Sequence, residues 1–296
     1  MRFRSTRPGR RLLLGSMLLA PLGWGARRPD EVVLPHHISA PDPQLPYVRR
    51  LVELALARAG SRRQLRLFDL EMAQGRSLVE LAQGRSAFDL MWTVTDAQRE
   101  ASGLIPVRFP IDRGLMGWRL LMIRTDDQAR WREVRSLAQL RRYTAGQGHD
   151  WPDTEVLRAN ELPVATSSSY DALFRMLAAG RFDYFPRAIL EVDTELAAAP
   201  HAGLALAPDV MLHYPAAAYL FVSPRRPELA RELAQGLDLA AADGSFQRLH
   251  HEFYGPLLRA HAAAQQRVIT LRNPLLPPQT PLHRRELWLQ PGRAGE

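Results

Sequence analysis

Residues 166–191 read TSSSYDALFRMLAAGRFDYFPRAILE: a helix, a glycine stop and a short buried strand in one stretch. Ser168 stands three residues before Asp171, the spacing at which a hydroxyl and a carboxylate cap a helix start reciprocally. Leu173, Phe174 and Leu177 then share one helical face. Gly180 falls where the chain must turn left-handed to leave the helix, a conformation that glycine adopts without Cβ strain. The FDYF segment, 182–185, follows as the strand. A weaker copy, SLVELAQGRSAFDLMWT, spans 77–93 with Gly84 at the matching stop. Two such units predict two similar lobes, and a cleft between lobes is a favoured place for a small ligand.

With 296 residues, 46% of them hydrophobic, the chain has room for two domains, each with its own core. All 39 basic side chains are arginines. The formal charge of +8 could be taken for a nucleic-acid footprint, but the opening segment MRFRSTRPGRRLLLGSMLLAPLGWG accounts for much of it. That segment has a basic start, a short apolar centre and a small-residue exit, the pattern of a cleaved signal peptide over 1–25. Its apolar run is too short and too broken by Gly and Pro for a membrane span. Five arginines and no acid fall within 1–25, so cleavage there takes +8 down to +3. A surplus that small asks for no polyanion, and nucleic acid is not an expected partner. Arg10-Arg11 followed by three leucines resembles a twin-arginine signal only faintly, which favours the general secretory (Sec) route. Cysteine is absent, which excludes disulfides, thiolate metal sites, a cysteine nucleophile and a lipid-anchored cysteine. The expected location is the periplasm, without a lipid anchor.

Taken in order, EVVLP at 31–35 reads as a first buried strand, and Val48, Leu51, Val52 and Ala55 mark a helix that ends at Gly60. A strand near Leu65–Leu67, the SLVELAQG helix and the FDLMWT strand complete a β-α-β-α-β order, which calls for a mainly parallel sheet flanked by helices. GLMGWRLLMI, 114–123, reads as a long apolar strand. Beyond it the alternation repeats: YTAGQG and PVATSS as strands, PDTEVLRAN as a helix with Pro152 in its first turn, and a helix over 188–198. HYPAAAYLFVS reads as a strand returning to the first lobe, followed by two amphipathic helices over 227–242 and 246–262.

The ordered series MWTVTDAQRE, SLAQLR, GQGHD, LAAGRFDYF and ADGSFQRLHHEFYG resembles the periplasmic solute-binding proteins of ABC importers, in the family 3 branch that contains polar amino-acid binders. The resemblance covers roughly 31–262. It implies an α/β, two-lobed type II periplasmic-binding-protein fold, each lobe a mainly parallel sheet with flanking helices, joined by two hinge strands. On that pattern lobe 1 is 26–121 plus 218–262, lobe 2 is 122–217, and 263–296 is a tail packing on lobe 1. It also implies a monomer that captures a small polar solute, amino-acid-like or anionic, with an inner-membrane ABC permease as partner and no cofactor or catalytic residue. An enzyme on the same scaffold, dehydratase-like with Glu100, His149 or Asp150 as acid or base, is the alternative, and a sensory or structural protein that has lost transport is another.

The ligand anchors depart from the family's pattern. Family 3 proteins present an arginine from a Thr-x-x-Arg turn to a ligand carboxylate, because a planar guanidinium makes two parallel charge-assisted bonds. Here the turn is Thr95-Asp96-Ala97-Gln98, and Arg99 comes one place late, about 100° around a helical turn. Where the family has an acid beyond its second FDYF-like strand, this chain has Pro186-Arg187, a cation that suggests an anionic solute. Trp92, Thr93 and Thr95 occupy the family's position for short hydroxyls at a strand end; strand packing and capping are the plainer alternative. Gln147, His149, Asp150 and Trp151 join a strand end to a helix start, where free N–H groups and the helix dipole favour an anion. Here too Asp150 as a helix cap and Trp151 as a core ring are the plainer alternative. Tyr184 and Arg187 end the matching strand of the second lobe; the alternatives are a buried Tyr184 ring with its hydroxyl satisfied locally and a solvated Arg187 at a helix start. No metal site is expected: His36-His37 follow a strand, where neighbouring side chains point to opposite faces, and no cysteine or HExxH-like spacing supports either that pair or His250-His251.

Overall fold

The structure, a computed structural model, describes residues 30–38, 42–197, 203–261 and 267–289. The expected signal peptide lies outside them. The first lobe opens with β1 (Glu31–His37), α1 (Leu45–Arg58), β2 (Gln64–Leu70), α2 (Gln74–Ala82) and β3 (Leu90–Val94). β1 and β2 pair in parallel, and β3 adjoins β1 through Asp89, whose backbone N–H donates to Val33 O while its carboxylate accepts from Val33 N. A short helix α3 (Ala97–Glu100) and β4 (Ile105–Val107) follow.

The chain crosses at 108–117 into the second lobe, where β5 (Trp118–Arg124) leads to α4 (Gln128–Trp131), α5 (Leu137–Leu140), β6 (Ala145–Gly148), α6 (Pro152–Ala159), β7 (Val164–Ser167), α7 (Tyr170–Ala178), β8 (Phe185–Ala188), α8 (Val192–Ala197) and β9 (Leu204–His213). It returns at 214–217 to β10 (Ala218–Val222), which inserts antiparallel between β3 and β4. α9 (Pro227–Ala242) and α10 (Ser245–Ala260) close the first lobe, with α9 packed on α1 so tightly that Gly236 lies against the Ala55 carbonyl. β11 (Arg267–Thr270) completes the regular elements.

β5 is fully part of the second lobe's sheet, ordered β11-β9-β5-β8, so the first crossing comes before Trp118 rather than at 121. The strand expected over 114–123 is preceded by a left-handed Gly114 and a 3₁₀ turn at Leu115–Gly117. Gly117 is required there because the Tyr214 carbonyl of the second crossing occupies the space of a Cβ. Buried Asp112 fastens the two crossings: its carboxylate accepts from the backbone N–H groups of Gly114, Met116 and Ala218.

Three local expectations shift. The helix cap on α7 is Ser169, whose Oγ accepts from Ala172 N, not Ser168. The strand expected at 182–185 begins at Phe185, because Asp183 turns inward to accept from Thr144 N and Tyr184 makes only an isolated bridge to Ala145. The helix expected over 188–198 is shorter within the described residues, starting at Val192. Gly180 is left-handed as expected, with φ 69°. The tail is expected on the first lobe, yet β11 pairs in parallel with β9 of the second; its later part does lie on the first lobe, where Arg284 donates to Asp238 of α9 at 2.7 Å and Trp288 packs with the cluster around Phe88 and Phe221.

Candidate ligand site between the lobes

The first lobe offers the end of β3 and the start of α3. Asp96 is the N-cap of α3 and accepts from Arg99 N at 2.7 Å. Arg99 folds back from this turn: its guanidinium donates to Val94 O and pairs with Asp96 at 3.3 Å, leaving part of the side chain open to solvent. Thr95, nearly fully buried, donates to Glu100 at 2.9 Å, and Arg108 holds the other oxygen of Glu100 at 2.6 Å. Glu100, the acid or base that an enzyme would use, is thus engaged on both oxygens. Thr93 donates to Gln74, and Trp92 lies partly buried against the main core.

The second lobe contributes the β6–α6 junction. His149 and Asp150 stand exposed, with the ring nitrogen and carboxylate 3.6 Å apart. Asp150 is not the cap; Trp151 holds that position without a side-chain cap bond. Its ring lies close against Gly148, and Thr154 secures the turn by donating to Gly148 O at 2.7 Å. Gln147 is 1% exposed, and its Oε1 has no hydrogen-bond partner among the described residues.

Beneath this junction lie residues that the sequence did not single out. Asp153, in the first turn of α6, accepts from Arg119 on β5 at 2.5 Å and from the Tyr214 hydroxyl at the second crossing. The Arg119 guanidinium also rests over the Tyr214 ring. Burial pulls the Arg119 pKa down, but Asp153 outweighs it and leaves the group above its usual value. Burial lowers the Arg99 pKa, while Asp96 and, from the second lobe, Asp153 and Asp150 act in the opposite sense.

Arg187 requires a correction. It is 5% exposed, and Nε and Nη2 converge on Glu195 at 2.6–2.9 Å, with Glu191 2.9 Å from Nη2. The rings of Trp151 and Phe185 flank it at 4.9 Å. Burial disfavours the cation, yet the two carboxylates outweigh burial and raise its pKa. This guanidinium is spent within the lobe and is not a free anchor for an anion. Tyr184 buries its ring fully against Trp131, and burial raises its pKa, but its hydroxyl finds no hydrogen-bond partner among the described residues.

His36 bonds Asp69, and His250 is buried against the Asp112 carbonyl; among the described residues no three His, Asp or Glu side chains converge as metal ligands.

No family model matches the chain, and no curated protein does. Solved structures do. The VFT2 domain of BvgS from Bordetella pertussis aligns with a TM-score of 0.54 at 16% identity, over 76% of this chain and 93% of that one. An ancestral arginine-binding protein bound to arginine aligns at 0.53 and 11%, over 76% and 98%. A periplasmic His/Glu/Gln/Arg/opine family-binding protein from Silicibacter pomeroyi in complex with lysine aligns at 0.52 and 11%, over 76% and 97%. The fold is therefore the two-lobed type II periplasmic-binding-protein fold.

Proposed function

We propose that this protein is a solute receptor whose lobes close on a small polar molecule carrying an ammonium or guanidinium group together with a carboxylate. The observation that carries the reading is that a partly exposed Arg99 on the first lobe and an exposed Asp150 at the β6–α6 junction of the second lie within electrostatic reach of each other. One cation and one exposed acid suit a zwitterion with its carboxylate toward Arg99 and its nitrogen toward Asp150, since Asp153 is already held by Arg119 and Tyr214. With Arg187 paired to Glu195, the case for a simple anion loses the residue that suggested it. The arginine and lysine bound by the structural neighbours are consistent with the same chemistry. Export through the 1–25 segment to the periplasm and delivery to an inner-membrane ABC permease complete the proposal; a binding role rather than catalysis fits the occupied state of Glu100.

The test is thermal unfolding of the protein with L-arginine, L-lysine, L-glutamate, L-glutamine, putrescine, succinate, phosphate and glucose. A ligand at a hundred times its Kd stabilises the folded state by about 2.7 kcal/mol, enough for a clear rise in Tm. A saturable shift with a basic or neutral amino acid is expected. Shifts with succinate or phosphate alone, or with none of the panel, would overturn the reading.

A further inference from the structure

The tail makes a third connection between the lobes. Its first part is built into the second lobe: β11 pairs with β9, and Leu271 N donates to His213 O at 2.8 Å. Asn160, at the C-terminal end of α6, then clamps Arg272 from both sides. It donates to Arg272 O at 2.8 Å and accepts from Arg272 N at 2.9 Å.

The next residues run along the hinge. The Asn273 side chain donates through Nδ2 to Pro215 O, in the second crossing, at 2.8 Å, and its Oδ1 accepts from Leu275 N. Leu275 O accepts from Ala97 N, the first N–H of α3 on the first lobe. The last part docks on the first crossing: Leu289 N donates to Arg113 O at 2.8 Å, and the Trp288 ring lies where a Cβ on Gly114 would sit. Leu287 is fully buried, Arg284 donates to Asp238 of α9 at 2.7 Å, and Trp288 packs with the first-lobe cluster around Phe88 and Phe221.

One continuous segment is thus fastened to lobe 2, to both hinge crossings and to lobe 1. A two-strand hinge opens by small backbone rotations at its crossings. A third tie, attached on both sides of that axis, must stretch or detach before the lobes can separate. We propose that residues 271–289 form a strap that limits opening of the cleft and holds the free protein near its closed geometry. The strap acts whatever the solute, so its test is independent of the binding reading. Its consequence for function is pre-organisation: less of the binding free energy goes into closing the lobes.

The chain has no cysteine, so two introduced thiols can be spin-labelled cleanly. Val79→Cys on α2 and Arg175→Cys on α7 place exposed labels on opposite lobes. A specific protease site inserted between Pro278 and Gln279, both exposed, allows the strap to be cut in the folded, full-length protein. Double electron–electron resonance on the ligand-free protein is expected to give one narrow distance distribution before cleavage. After cleavage the distribution is expected to broaden and shift to longer distances. Asn273→Ala, which removes the bonds to Pro215 and Leu275 without a cut, is expected to shift it in the same direction to a smaller extent. Circular dichroism confirms that each form remains folded. Identical distributions in the intact, cut and Asn273→Ala proteins would overturn the proposal.

Discussion

Arg187 and Glu195 form a closed pair: Nε lies 2.9 Å from each carboxylate oxygen and Nη2 2.6 Å from Oε1, with the Tyr170 hydroxyl donating to the same oxygen. Both side chains are buried. Removing one partner strands the other as an uncompensated charge. Arg187→Met is therefore expected to cost about 3–5 kcal/mol, whereas Arg187→Met with Glu195→Leu costs far less. Urea unfolding of the two single variants and the double variant measures the coupling. Equal losses in single and double variants would show the pair to be incidental.

Arg99, partly exposed on the first lobe, feels the charges of Asp150 and Asp153 of the second. Once a ligand is known, Arg99→Ala is expected to remove about 1.5–3 kcal/mol of binding, the range for a hydrogen bond to a charged group. That is at least roughly tenfold in Kd. Asp150→Asn, at an exposed position, is expected to weaken binding less and to leave unfolding unchanged. Calorimetric titration checks both.

Stability is expected to fall on acidification through the histidines. His250 packs between Tyr47, Tyr254 and Phe246 against the Asp112 carbonyl, with the Arg113 and His251 charges nearby. Burial, reinforced by Arg113, lowers its pKa to about 3. His213, stacked on Trp118 at the hinge, is lowered to about 4 by burial. In the unfolded chain both titrate near 6.5. The unfolded state therefore takes up protons first as pH falls below 6.5, and the native state is disfavoured until its own pKa is passed. The loss runs from about pH 6.5 down to about 3, at up to about 1.4 kcal/mol per pH unit for each ring. His250→Phe should flatten part of that slope in denaturant titrations between pH 7 and 5.

The contact of α1 with α9 depends on Gly236, whose missing Cβ makes room for the Ala55 carbonyl. Gly236→Ala raises helix propensity but forces the helices apart. A net loss of about 1–3 kcal/mol is expected from overpacking, read as a lower urea midpoint with an unchanged m-value. A gain in stability would show that the two helices separate without cost.

Much of the architecture was legible because apolar spacing and glycine stops are local signals. The helices α1, α6, α7, α9 and α10 and the strands β1, β6, β7 and β10 fall where their periodicity put them, within a few residues. Errors came where a tertiary contact outbid a local one. Asp183 satisfies Thr144 N instead of extending the strand, and Trp118 joins β8 and β9 rather than the first lobe. Site chemistry was harder to read. Arg187 stood out as a cation at a strand end, but nothing in the spacing R-x₃-E-x₃-E says that the carboxylates fold back onto it.

Alternating β and α units, with glycine exits from α1, α2, α7 and α9, are enough to specify two α/β lobes, since hydrophobic period and turn chemistry belong to neighbouring residues. Which charges remain available to a ligand is a different kind of fact. Arg119 meets Asp153 across 34 positions of sequence, and Asn160 grips Arg272 across 112. Those partners are chosen by burial, because a desolvated charge or a bare peptide group must find whatever complement the packed chain brings within reach.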